Sequence, residues 1–286
     1  MIQLKIVLIP FLSLLLMLNL FSMTVCSQSK NSTSAFNKNS KISATVSIGY
    51  LKPIGEFAEI SNNDYDTYNL SFDYKDFNMA GKATSGFSAS SEVAYRLIKN
   101  FELGIYLDYS ITYTTPATFR ELFDLDSTSE LSVSSTSGNW ETFSPMATAA
   151  YCFYYHKWKG SIQLMAGWQF AWSPEVTMNR EFPETGTFNG IDRYHITYTQ
   201  PTRKSNAFCY GASAKLRYSI NNKIGVVLSG NYQYAEHEFN KGGTLDYKSS
   251  IMTPQGVVNT VVTTRGFNFS KTIEYYTINA GVSFAF

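Results

Sequence analysis

Residues 101–113 alternate without a break. Phe101, Leu103, Ile105, Leu107, Tyr109, Ile111 and Tyr113 fall on one side, and Glu102, Gly104, Tyr106, Asp108, Ser110 and Thr112 on the other. A side-chain period of two belongs to a β-strand, because a helix would scatter those apolar groups around its circumference. The strand therefore has two chemically different faces. The same test predicts strands over 42–50, 87–97, 142–155, 161–172, 206–219, 224–234 and 272–286, making eight. Pro145 interrupts the fourth, since proline cannot donate a ladder hydrogen bond.

The connections alternate as well. Strands two and three are joined by 98–100, four and five by 156–160, and six and seven by 220–223, whereas 51–86, 114–141, 173–205 and 235–271 are long. Long connections without structure of their own are uncommon in a compact soluble domain. An outer-membrane barrel has them by design, with tight periplasmic turns at one rim and long extracellular loops at the other. About 9–11 residues per strand cross a bilayer, and a closed ring leaves no backbone group unpaired in lipid. The predicted fold is all-β: an eight-stranded antiparallel up-and-down transmembrane β-barrel with four long extracellular loops and three short periplasmic turns. The apolar faces point into lipid. Tyr50, Tyr113, Trp172 and Tyr234 mark one aromatic girdle, and Tyr95, Phe101, Tyr155 and Tyr218 the other. A soluble barrel with the same faces turned inward is the alternative.

The N-terminus supports export. In residues 1–27, Lys5 precedes an apolar stretch from Ile6 to Phe21, and Val25 and Ser27 suit the −3 and −1 positions of signal-peptidase cleavage. The predicted organisation is a signal peptide over 1–27, a flexible polar lead-in over 28–40 and an outer-membrane barrel over 41–286. Val25 before Cys26 argues against lipidation of that thiol. Removal of Lys5 leaves 22 basic residues against the 22 acidic ones, so the mature chain lacks the basic surface that nucleic-acid binding requires. Charged residues are 16% of the chain, below the roughly 25% of a soluble domain, while aromatics reach 16%.

The last residues, GVSFAF, carry alternating Val282, Phe284 and Phe286 and resemble the C-terminal signal read by the outer-membrane barrel assembly machinery. The run Gly49-Tyr50-Leu51-Lys52-Pro53-Ile54-Gly55-Glu56-Phe57 resembles the end of the first strand and first loop in small outer-membrane β-barrel-domain proteins of the OmpX type and the OmpA membrane domain. This resemblance implies outer-membrane assembly, with barrel assembly machinery and periplasmic chaperones as partners during biogenesis. In some members it implies adhesion or envelope roles.

Eight strands leave an interior just wide enough for side chains to fill. The predicted register turns Glu92, Arg96, Glu102, Asp108, Lys215 and Arg217 into the lumen, three acids against three bases, as a structural charge network. The residues suggest no catalytic set, no cofactor and no metal ligand spacing. An enzyme acting on lipid or peptide would need a base: His156 falls in a turn, His195 in the third long loop, and His237, flanked by Glu236 and Glu238, just above the seventh strand. Cys152 and Cys209 both face the lumen at different depths, so two buried free thiols are expected. The reading is a non-enzymatic, monomeric outer-membrane barrel with a structural, adhesive or ligand-binding role through its extracellular loops. A small outer-membrane hydrolase and a narrow solute channel are the alternatives. The lipid of the outer membrane is a partner, and the extracellular ligand is left open.

Overall fold

The computed structural model describes residues 40–58, 83–114, 132–182, 193–200, 202–239, 244–253, 256–265 and 269–286. The predicted signal peptide and nearly all of the lead-in lie outside these residues. In chain order the strands of the first half are β1 (Ile42–Pro53), β2 (Ala83–Ile98), β3 (Phe101–Thr114), β4 (Ser132–Ser137), β5 (Trp140–Tyr155) and β6 (Trp158–Trp172). Those of the second half are β7 (Val176–Phe182), β8 (Arg193–Gln200), β9 (Lys204–Ser219), β10 (Ile224–Phe239), β11 (Thr244–Thr253), β12 (Gly256–Arg265) and β13 (Phe269–Ala285). Eight long strands close into an antiparallel barrel in the order β1-β13-β10-β9-β6-β5-β3-β2. All eight predicted strands are present, most of them longer at the loop end than their alternation indicated. Ring closure between first and last strands is in register from Ser43↔Ala285 to Pro53↔Tyr275.

The long connections are not structureless. The short strands form a second sheet in the order β12-β11-β8-β7-β4. The second, third and fourth connections thus join into one antiparallel platform. These strands are short, and their signals, such as Tyr194, Ile196 and Tyr198 alternating with Arg193, His195 and Thr197 in β8, are weaker than those of the ring strands.

The turns follow from local chemistry. Strands β5 and β6 are joined by His156-Lys157 alone, and His156 adopts φ 51. The first residue of a two-residue hairpin commonly takes such a positive φ, matching the right-handed twist of its strands. In the β9–β10 turn the Asn221 side-chain oxygen accepts from the backbone N–H of Lys223 and Ile224, each at 2.8 Å. After β1 the chain makes one helical turn, α1 (Gly55–Ala58), which opens on Gly55 at φ 54. That positive φ favours glycine; a Cβ there would also meet the end of the Glu274 side chain at 2.7 Å, which a rotation of the carboxylate could relieve. The Ile54 N–H donates to the Glu274 carbonyl at 3.0 Å and ties this turn to β13.

Pro145 lies inside β5, as the alternation indicated, and the strand begins two residues earlier, at Trp140. It pairs with Leu107 on the β3 side, while on the β6 side the ladder steps from Phe143↔Phe170 to Met146↔Gly167. The missing donor therefore leaves a local gap without a change of register.

Candidate functional site

The two faces of the strands are inverted relative to a soluble protein. Ile48 is 71% exposed, Leu164 68%, Ile162 63% and Ile105 62%, with Phe87, Trp168, Leu228 and Ile278 likewise turned outward. The residues buried inside are polar: Ser47, Ser88, Ser90, Thr148, Gln163, Ser213, Ser229, Asn231, Thr277 and Asn279 are all buried. A continuous apolar exterior of this size would not stay monomeric in water. The soluble alternative, with apolar faces inward, is contradicted by this orientation.

Both predicted girdles lie on the exterior. Tyr50, Tyr113, Tyr95 and Tyr155 are exposed, and Trp172, Tyr234, Phe101 and Tyr218 are half-buried. Towards the loop end Tyr234 and its neighbours on the outer surface meet carboxylates: Tyr232 donates to Glu274 at 2.7 Å, Tyr234 to Glu236 at 2.5 Å, and Tyr109 to Glu141 at 3.0 Å. Neighbouring tyrosine rings pack at a tilt, with Tyr210 and Tyr234 centroids 5.1 Å apart and Tyr232 and Tyr276 5.3 Å apart.

The lumen is layered. At the turn end Glu102 accepts from Lys159 at 2.5 Å and from Arg96 at 3.4 Å, and the Tyr154 hydroxyl also reaches it at 3.4 Å. Arg217 is buried beside this group. One layer further in, Glu92 accepts from Lys215 and from the Gln163 amide at 2.6 Å. A cavity of about 40 Å³, room for little more than a water, lies among Glu92, Glu102, Lys159, Gln163, Lys215 and Arg217.

Asp108 stands apart. It is fully buried at 0% exposure and is held by Ser110 at 2.8 Å, the Gln233 amide at 3.2 Å, and the Tyr106 and Tyr275 hydroxyls at 3.3 Å each. Its partners are neutral donors, so the predicted pool of three acids and three bases divides. Glu92, Arg96, Glu102, Lys215 and Arg217 gather at the turn end, while Asp108 joins a neutral middle layer. The predicted network lacks Lys159, Gln163, Gln169, Gln233 and Tyr275. Lys159 fell in a predicted turn, although extending the β6 alternation back to Trp158 puts it on the same face as Ser161 and Gln163.

The loop end of the lumen is apolar. Leu51, Phe57, Ala83, Trp140, Ala171, Phe239, Ile273 and Tyr275 form one buried cluster. Trp140 sits at its centre, edge-on to Phe57 at 5.5 Å and to Phe239 at 5.6 Å. The α1 turn delivers Phe57 into this stopper.

His237 lies on β10 within the ring rather than above it, and is 0% exposed. One ring nitrogen, Nε2, shares a hydrogen bond with the Gln169 side-chain oxygen at 2.9 Å, while Nδ1 has no partner among the described residues. Glu236 and Glu238 are exposed on the opposite face of the strand, so the predicted flanking carboxylates do not face the imidazole. His156 is exposed in its turn and stacks on Tyr155 at 4.4 Å. His195 lies on β8, and its side chain is outside the described residues. Cys152 and Cys209 are buried free thiols, as expected. Among the described residues, no group of three or more His, Cys, Asp or Glu is placed to hold a metal ion. Val282 and Phe286 face outward near the end of the barrel.

No family model matches the chain, and no curated protein matches it. Among solved structures, Neisserial surface protein A is similar at 12% identity, covering 86% of this chain and 97% of its own, with a TM-score of 0.44. A major outer membrane protein from Thermus thermophilus is similar at 10% identity over 87% of this chain and 100% of its own, TM-score 0.36. The outer membrane protease OmpT from Escherichia coli is similar at 9% identity over 90% and 100%, TM-score 0.33. Likeness at these levels concerns fold and carries no activity across.

Proposed function

We propose that this chain is an integral outer-membrane β-barrel, closed to solute and non-enzymatic, that acts through the strand platform its long connections build. The observation that carries the reading is the inversion of its strand faces. Aliphatic and aromatic side chains cover the outside of a ring whose interior is polar, and lipid is the solvent that suits such an exterior. The aromatic girdles set the height of the membrane, and the platform strands extend beyond one of them.

Two features favour display over transport or catalysis. Side chains fill the lumen from the charged layer to the Trp140 stopper, which supports a plug rather than a pore. His237, the strongest candidate base in the sequence, is buried inside the barrel, and among the described residues no carboxylate is hydrogen-bonded to it. A hydrolase acting on the loop side would therefore have to work from His195, and His195→Ala tests that directly: the display reading expects no loss of any measured turnover.

The platform is tested by replacing residues 244–265 with a two-glycine turn, which removes β11 and β12 while leaving the ring intact. Cells carrying the shortened chain are expected to insert it normally but to lose adhesion to matrix-coated wells. Unchanged adhesion would remove the platform from the function.

A further inference from the structure

The charges in the turn-end lumen do not balance. Arg96, Lys159, Lys215 and Arg217 reach it from β2, β6 and β9, and the carboxylates that meet them are Glu92 and Glu102. Lys159 and Arg96 share Glu102, and Lys215 holds Glu92 together with the Gln163 amide. Arg217 is buried with Glu102, Arg96 and Tyr154 as its ionisable neighbours. Four positive groups therefore meet two negative ones.

These groups surround the turn-end cavity of about 40 Å³, whose wall includes Lys159, Lys215 and Arg217. Among the described residues, no third carboxylate lines it: Asp108 belongs to the neutral layer beyond Tyr106, and the C-terminal Phe286 is not part of the wall. Ser43, Thr45 and Ser161 add hydroxyl donors to the lining. Gly225 keeps space for the Arg217 side chain, since a Cβ there would stand 2.8 Å from its Nε. Charge held away from water is costly unless opposite charge lies within reach, and here two positive charges exceed what the carboxylates neutralise.

We propose that this cavity binds a small monovalent anion of the halide class, with chloride as its common member, between Lys159, Lys215 and Arg217. Size decides the class. Room for little more than a water suits a monatomic ion and leaves out the phosphate of a lipid or nucleotide. Ammonium and guanidinium groups donate charge-assisted hydrogen bonds to such an ion, and the hydroxyls add donors without adding charge. The ion lies in the barrel interior, so the site stands whatever the platform binds.

The test is urea unfolding of the full chain in detergent micelles, with chloride raised at constant ionic strength against gluconate, an anion too large for the cavity. One bound ion predicts that, once chloride exceeds its dissociation constant, each tenfold rise lowers the unfolding constant about tenfold, and that bromide replaces it. Ser161→Asp puts a fixed carboxylate in the cavity wall while retaining all four cations. It is expected to abolish the chloride dependence and to be at least as stable in gluconate as the wild type. Arg217→Gln removes one cation and is expected to weaken chloride binding by about tenfold or more. Lys99→Gln, on the outer rim, leaves the dependence unchanged. Equal stability of the wild type in chloride and gluconate would overturn the proposal, as would a chloride effect that survives intact in Ser161→Asp or Arg217→Gln. If one of these two variants fails to fold, the other decides together with the wild-type titration.

Discussion

Gln163 and Leu164 are neighbours on β6, and they live in different solvents. Gln163 is 1% exposed and donates to Glu92 inside the ring, whereas Leu164 is 68% exposed on the outside. In a soluble protein the leucine would be buried and the amide wet. The contrast shows that these strands are sorted by polarity as usual, but with lipid in the place that water normally takes. The lumen is a small polar core, and it must satisfy its own donors and acceptors because water cannot reach most of them.

Substitutions that set the two faces against each other probe this directly. The largest effect is expected inside, at Glu102→Leu. This change removes the carboxylate that Lys159 and Arg96 share. Breaking a buried pair costs about 3–5 kcal/mol, so the urea midpoint of unfolding in detergent or lipid should fall sharply. Outside, Leu164→Arg puts a charge on the lipid face and should cost about 2–4 kcal/mol near the bilayer midplane. The same change in a soluble barrel with an exposed Leu164 would cost almost nothing, so unfolding in vesicles separates the two cases. Gln163→Leu deprives Glu92 of one donor, and about 1–3 kcal/mol of destabilisation is expected from the unmet hydrogen bond. A leucine that destabilises at 163, next to one that is required at 164, would be the sharpest form of the comparison. The smallest effect is expected at Pro145→Ala. It restores one N–H to the gap in the β5–β6 ladder and should leave stability within about 1 kcal/mol of wild type.

The same contrast explains what was legible in the sequence. Wherever a strand crosses the apolar belt, lipid outside and polar lumen inside enforce period two, and all eight ring strands could be read from it. The reading stopped short where the belt ends. Beyond Tyr234 the outward positions of β10 are Glu236 and Glu238, so the apolar signal fades although the strand continues to Phe239. The alternation therefore leaves His237 beyond the predicted strand, and at the other end of the ring Gly160 interrupts the signal before Lys159. The five platform strands cross no belt, and their signals are short: Tyr194, Ile196 and Tyr198 alternate with Arg193, His195 and Thr197 in β8, and β12 is rich in valine and threonine. The partition of the lumen into a charged layer, a neutral layer around Asp108 and an apolar stopper was also invisible. It depends on which residues share a level across four hairpins, and the period of a single strand carries no such information.

The central claim is that the apolar outside of the ring faces lipid. Its most direct test is electrophoretic mobility in SDS, with and without boiling, of the protein recovered in the outer-membrane fraction of its own cells. A closed barrel in lipid predicts recovery in that fraction and a band that migrates differently once boiling opens the ring. Recovery of the chain as a soluble periplasmic protein, with one mobility before and after boiling, would contradict it.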